Sequence, residues 1–329
     1  RGGYRAADRS PRMAMPTLPP LREVWRDALR EALVHGPLRL LPRERRRAID
    51  RRLRGREEAR KLALADAAIV SYGKSGRTWL RVLLSRVYTL RHGLPSNLML
   101  EFDNLHRLDP AIPKLLFTHA NYIRDWTGEW HSRRHFHGVR TVLLVRHPCD
   151  VAVSQWHQWR HRMRPWKTVL NRYPPPGAAV ELEAFLLDPA VGLPAILAWL
   201  ELFERELPAI REHLVIRYED LRRDTAGELA RLLTFLGTPA SAREIGEAVA
   251  FARLDNMRRL EAEGALAFYG IRARPRDPTD PRSFKTRKGS VGGWRTELGP
   301  EAAARIEAWL RARGPLPFGY TLEPAPLAG

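Results

Sequence analysis

The sequence predicts an α/β fold of three layers, a central parallel sheet with helices on both faces. Three observations carry the prediction: short apolar runs recur along the chain, each is followed at once by polar residues, and helical spacing fills the intervals. The runs are Ala68–Tyr72 before Gly73-Lys74, Leu115–Thr118 before His119, Thr141–Val145 before Arg146, and Leu214–Tyr218 before Glu219-Asp220. Unbroken apolar runs of this length suit strands buried on both faces, and their alternation with helices selects a parallel sheet covered on each side.

In chain order, residues 1–20 are rich in Arg, Gly and Pro without periodicity and read as a disordered tail. Residues 21–64 alternate apolar and basic positions. Trp25, Leu29, Leu33, Leu38 and Leu41 precede the run RERRRAIDRRLRGREEARK, which reads as a basic helical N-terminal extension. The main domain spans 65–318. After its first strand, helix is expected from Arg77 or Thr78 through Leu80, Leu83, Leu84 and Val87; further helical patterns cover Val180–Leu207 and about Ser241–Gly264. A long polar loop, 270–294, follows, and loops of that length in a compact domain usually carry function. The amphipathic stretch Pro300–Arg313 ends at Gly314-Pro315, a usual helix stop, and 319–329 reads as a C-terminal tail.

The 329 residues carry a net charge of +19, which calls for an anionic ligand: nucleic acid, an anionic membrane surface or a polyanionic small molecule. Residues 43–61 are the candidate for peripheral contact with an anionic membrane. No run approaches the roughly 18 to 20 apolar residues of a membrane-spanning helix, and the first residues lack the order of a signal peptide. The single cysteine, Cys149, offers neither a disulfide nor a zinc pair. The expectation is a cytoplasmic protein, with the inner membrane face as the place of any peripheral contact. His131, His135 and His137 have metal-like spacing but no neighbouring carboxylate pair, so no metal is expected.

In parallel sheets of this kind, ligands gather at the carboxyl ends of the strands, where Lys74, His119, Arg146 and Tyr218 all fall. The turn Gly73-Lys74-Ser75-Gly76 leads straight into a helix, whose free N–H groups and dipole make an anion site. It passes a relaxed P-loop pattern only because Ala68, a strand residue, stands where a triphosphate loop needs its first glycine. Arg146 with Ser154 eight residues on, and Arg287-Lys288-Gly289, suggest two further anion-binding groups. Together they ask for a nucleotide with phosphate at two separate places.

These blocks resemble the sulfotransferases that use 3′-phosphoadenosine-5′-phosphosulfate (PAPS). The resemblance lies in Lys74-Ser75-Gly76-Arg77-Thr78-Trp79-Leu80, Arg146 through Ser154, Tyr218-Glu219-Asp220-Leu221, and Arg287-Lys288-Gly289 with Gly292-Gly293-Trp294. The blocks stand in the family's order and span about 67–297. The resemblance implies a P-loop-like sulfotransferase fold over 65–318. It implies that Lys74 through Trp79 hold the 5′-phosphosulfate, with Thr78 on phosphate and Trp79 against adenine. Arg146, Ser154, Arg287, Lys288 and Gly289 hold the 3′-phosphate, and Tyr218 contacts adenine. It also implies His119 as catalytic base. Phe117 replaces a lysine common in the cytosolic members, Arg77 a threonine and Leu254 a stacking phenylalanine. Their dimer signature is not recognisable around Thr296–Ile306, which leaves the oligomer open.

The expected reaction moves the sulfuryl group of PAPS to a hydroxyl or amine, releases 3′-phosphoadenosine-5′-phosphate (PAP), and needs no metal. His119 takes the acceptor proton and Lys74 neutralises the leaving oxygen. The basic N-terminal segment and the tryptophans at 156–166 point to an amphipathic or acidic acceptor, with a glycan, a glycolipid and a secondary metabolite as the open classes. Two rival readings are a P-loop-type kinase or NTPase and a non-enzymatic basic protein that binds nucleic acid. The first lacks the loop glycine and does not account for Arg146, Ser154 and Arg287-Lys288; the second would show affinity that falls steeply with salt and is not selectively displaced by PAP, and no nucleic-acid partner is expected.

Overall fold

The computed structural model describes residues 21–265, 277, 279–286 and 289–322. An N-terminal hairpin of α1 (Leu21–His35) and α2 (Arg43–Leu64) leads into β1 (Ala67–Ser71) and α3 (Arg77–Arg91). Then come β2 (Leu115–Thr118), the short α4 (Ile123–Thr127), β3 (Thr141–Val145), α5 (Pro148–Arg162), α6 (Pro165–Leu170), α7 (Leu182–Leu187) and α8 (Leu193–Glu206). The chain continues through β4 (His213–Arg217), α9 (Tyr218–Arg223), α10 (Thr225–Phe235), α11 (Ala242–Phe251), α12 (Leu254–Glu263), α13 (Trp294–Leu298) and α14 (Pro300–Arg313).

The four strands are parallel in the order β2-β1-β3-β4. Val70 stands beside Thr118 and Leu143, and Val145 beside Arg217, so the strands finish along one edge. Strand order reverses between β1 and β3, which is where a crevice opens in such sheets. Alternate residues feed two cores. Ala68, Val70, Leu143 and Val145 pack with α5, α8 and α14, whereas Ala67, Ile69, Val142 and Leu144 pack with α3, α10 and α11. This two-faced burial is why the strands read as continuous apolar runs.

Strands β2 and β3 fall where the runs placed them. The other two begin and end one residue earlier than expected, because Tyr218 already opens α9 and Tyr72 belongs to the turn after β1. The helical stretch 180–207 divides around Pro189, which cannot continue a helix from Asp188. The stretch 241–264 divides at Ala252-Arg253, where the Ala252 carbonyl accepts the Trp79 indole N–H at 3.0 Å. Helix α14 matches its expected bounds. The C-terminal segment packs at its start, where buried Tyr320 donates its hydroxyl to Glu219 at 2.7 Å.

The extension 21–64 is bound closely to the rest. A Cβ on Gly55 would lie 2.2 Å from the Tyr122 carbonyl oxygen, so only glycine lets α2 approach α4 here. Within the basic run 43–61, Arg51 turns inward to Asp125 at 3.1 and 2.9 Å and to the Asn121 carbonyl at 2.8 Å. Arg54 pairs with Asp50 at 3.0 Å. Among the described residues no helix is long and apolar enough to cross a membrane, and no group of three His, Cys, Asp or Glu side chains is placed to hold a metal ion.

Leu143 sits fully buried at the centre of β3. Leu143→Ala is expected to lower unfolding free energy by about 2–5 kcal/mol, measured by urea denaturation; a loss below about 1 kcal/mol would mean the sheet is not packed on this face.

Candidate functional site

The strand ends open on one large cavity of about 2000 Å³. Ligand sites for a single small molecule usually hold about 300–1000 Å³, so this one has room for two. Its floor is the turn after β1. Gly73, Lys74, Gly76, Arg77, Thr78 and Trp79 line it, while Ser75 is buried within the turn. Lys74 and Gly76 take positive φ of 73° and 95°. At Gly76 a Cβ would also collide with the Tyr218 ring at 2.5 Å, so glycine is required twice over. Helix α3 starts directly after Gly76 without a side-chain cap, and its first turn therefore offers uncapped N–H groups at the cavity.

Arg146, at the end of β3, fixes this floor. Its guanidinium donates to the Lys74 carbonyl at 3.0 Å and the Ser290 carbonyl at 2.9 Å, and lies 4.4 Å over the Tyr218 ring. Its Nε is buried without a partner among the described residues. The long loop is tied down on both sides of this clamp. Buried Asp150 accepts the Gly292 and Trp294 N–H groups at 2.8 and 3.2 Å, Glu261 accepts the Thr286 N–H at 2.9 Å, and Tyr218 donates to the Gly289 carbonyl at 3.1 Å. Ser154 lines the same wall. Arg287 and Lys288 lie outside the described residues. Trp79 meets Tyr218 edge-on at 6.0 Å, with Leu254 and Met257 beside them on the cavity wall.

His119, immediately after β2, donates through Nδ1 to the Ser71 carbonyl at 2.7 Å, so that nitrogen carries the proton. Nε2 then faces Arg77 at 2.8 Å with its lone pair. Burial, and next the Arg77 charge, hold the imidazole well below its usual value, against the opposing pull of the Ser71 carbonyl. Arg77 thus faces the site rather than solvent. Where Phe117 replaces a lysine, Arg81 lies 4.2 Å over the phenyl ring. Lys285, close to Arg81, Arg162 and Arg77, is pushed down to about 7, chiefly by burial.

Several residues around this centre carried no sequence signal. Glu58 of α2 accepts from the Thr118 hydroxyl and from the Ile123 N–H at 2.8 Å, gripping the segment on both sides of His119; burial raises its carboxyl. In the sequence it is one acid in a basic run. Trp199 donates its indole N–H to the His119 carbonyl at 3.0 Å from α8, 80 residues away. Gln155 lies beneath Gly73 and accepts the Tyr173 hydroxyl at 2.6 Å.

Residues 64–314 match the family model described as the sulfotransferase domain. The chain is similar to cytosolic sulfotransferase 12 of Arabidopsis thaliana, 28% identical over 74% of this chain and 75% of that protein. Its fold is similar to a mouse sulfotransferase solved with PAP, at TM-score 0.50 and 19% identity over 78% of this chain and 88% of that one. It is also similar to retinol dehydratase solved with retinol and PAP, at TM-score 0.50 and 18% identity over 75% and 80% of the two chains. At such identity the structural likeness speaks to the fold alone.

A histidine with a depressed pKa keeps its neutral form as pH falls through about 6.5. In ¹⁵N-edited spectra of the imidazoles, His119 is expected to remain the Nδ1–H tautomer at pH 6, and Arg77→Thr to shift its titration upward. Titration of His119 near 6.5 in the unsubstituted protein would contradict the lowering ascribed to loss of solvent and to the Arg77 charge.

Proposed function

The chain belongs to the sulfotransferase family, and from that premise we propose that it transfers the sulfuryl group of PAPS to a hydroxyl-bearing acceptor, with His119 as general base. The observation that carries the assignment is His119 itself: a half-buried imidazole with its proton fixed on Nδ1 and its Nε2 lone pair directed at Arg77 of the anion-binding turn. The wall suits a doubly charged nucleotide. It combines an uncapped helix start, a buried Arg146 Nε without a described partner, and the Gly76–Tyr218 contact that leaves the backbone bare.

In this reading the turn from Lys74 to Trp79, with Ser75, Gly76, Arg77 and Thr78, holds the phosphosulfate end. Arg146, Ser154 and Gly289 hold the 3′-phosphate, together with Arg287 and Lys288, and Trp79 and Tyr218 flank the adenine. PAPS supplies the sulfuryl group. His119 Nε2 accepts the acceptor's proton as its oxygen bonds to sulfur, and Lys74 neutralises the oxygen that leaves with the nucleotide. Arg77 must first turn from Nε2, and the phosphosulfate charge offers it an alternative partner. The acceptor being a small hydroxyl-bearing molecule draws support from retinol in one structural neighbour. Against a P-loop kinase stands Ala68, wholly buried inside β1, so the turn lacks the extra residues that wrap a triphosphate.

Calorimetry is expected to show PAP binding more tightly than ATP with Mg²⁺. His119→Ala is expected to lower transfer from labelled PAPS across an acceptor panel by about 10²–10⁴-fold, with PAP affinity kept. Tighter ATP binding would overturn the donor, and normal turnover in the variant would overturn the base.

A further inference from the structure

The half of the cavity beyond His119 carries positive charge that sulfuryl transfer does not use. Arg124, on α4, lines this wall, yet its guanidinium makes no hydrogen bond among the described residues. Its Nε is buried without a partner, and its face stacks 4.9 Å over Trp130. The adjacent carboxylate, Asp125, is already held in both oxygens by Arg51. Arg133, on the same wall, is 1% exposed. Its guanidinium donates to the main-chain carbonyl of Ser132 at 3.1 Å, lies 4.8 Å over Phe203, and leaves Nε buried and unpartnered among the described residues.

Neighbouring acids do not accept from either head group. Glu206 receives the Ser132 hydroxyl, the Arg133 N–H and His137 at 3.1 to 3.3 Å, and Glu58 receives the Thr118 hydroxyl and the Ile123 N–H. Burying a guanidinium without an anion is costly, and two together add mutual repulsion. Accordingly burial, and then Arg124, push Arg133 down to about 10, while burial and Arg51 lower Arg124.

An aromatic wall links this pair to the reaction centre. Trp199 holds the His119 carbonyl at 3.0 Å and packs against Phe203 at a 45° tilt with centroids 4.4 Å apart, and Phe203 carries Arg133. Tyr72 meets the other edge of Trp199 at 5.6 Å. A substrate with its hydroxyl at His119 would lay an apolar body along Tyr72 and Trp199, which line the cavity with Phe203 buried behind them, and reach the arginines with its far end.

We propose that Arg124 and Arg133 form an oxyanion-binding subsite for the acceptor, which makes the substrate a hydroxylated amphipathic acid. Guanidinium forks suit a carboxylate, and the aromatic wall suits the chain that separates it from the hydroxyl. The inference rests on the sulfotransferase reading for its substrate class but not for the existence of the subsite.

The test is calorimetric titration with two pairs of probes, 12-hydroxydodecanoate and 4-hydroxyphenylacetate, each against its methyl ester, with and without saturating PAP. The acids are expected to bind about tenfold or more tightly than the esters. Arg124→Gln is expected to remove that preference while leaving PAP affinity unchanged, and Arg124→Lys to restore part of it. Because the Arg124 side chain makes no hydrogen bond among the described residues, its variants decide the matter should Arg133→Gln fail to fold. Equal affinity of acid and ester, no binding of any probe, or an intact preference in Arg124→Gln would overturn the subsite. Failure of PAP to bind would instead overturn the sulfotransferase reading, and the acid preference would still be scored on the protein alone.

Discussion

The site depends on the Arg146 guanidinium, which holds two backbone carbonyls from distant parts of the chain. Lys74 lies 72 residues before it and Ser290 lies 144 after it, yet the carbonyls of both accept from one fork. A planar cation with several N–H groups can do this; a lysine ammonium cannot hold two carbonyls in a fixed plane. The Tyr218 ring beneath the guanidinium closes the arrangement, since the same ring packs against Gly76 and its hydroxyl holds Gly289. The turn after β1, the end of β3, the start of α9 and the long loop are thereby fixed relative to one another. A fixed array of donors is what charge stabilisation in a reaction requires, because it need not reorganise as charge develops.

A second set of contacts sets the reaction centre. Glu58 and Trp199 grip the segment around His119 from opposite sides, one from the N-terminal hairpin and one from α8. The hairpin is therefore part of the cavity wall, although the family match begins only at residue 64. Some of its arginines line the cavity, Arg51 among them while paired with Asp125, whereas Arg39, Arg43, Arg45 and Arg52 are exposed. Within the cleft itself Lys74, Arg77, Arg81, Arg146, Arg162 and Lys285 bring positive charges together. Among them is the half-buried Lys285, whose ammonium is destabilised by loss of solvent and by three neighbouring arginines.

Much of the frame was legible because burial on both sheet faces leaves a direct trace. Leu115–Thr118 and Thr141–Val145 are strands wherever one begins counting, since every position meets a core. The sheet-edge residues Lys74, His119, Arg146 and Tyr218 followed from strand ends alone. Limits appeared where tertiary contacts decide the outcome. At the break after Phe251 the free Ala252 carbonyl is satisfied by Trp79, a partner 173 residues away. Glu58 looked like one charge among many until α2 docked through Gly55, and no pattern in the sequence singled out Arg124 or Arg133. Arg77 showed only as a departure from a pattern; its contact with His119 depends on the register of β1 beside β2.

The central claim is that the sheet edge is built for a nucleotide with phosphate at two separate places. Titration calorimetry with PAP and with adenosine 5′-monophosphate, which lacks the 3′-phosphate, tests it directly in the unsubstituted protein and in Arg146→Ala. The account predicts that PAP binds about tenfold or more tightly than the monophosphate, and that Arg146→Ala abolishes most of the difference. Equal affinity for the two nucleotides in the unsubstituted protein would contradict it.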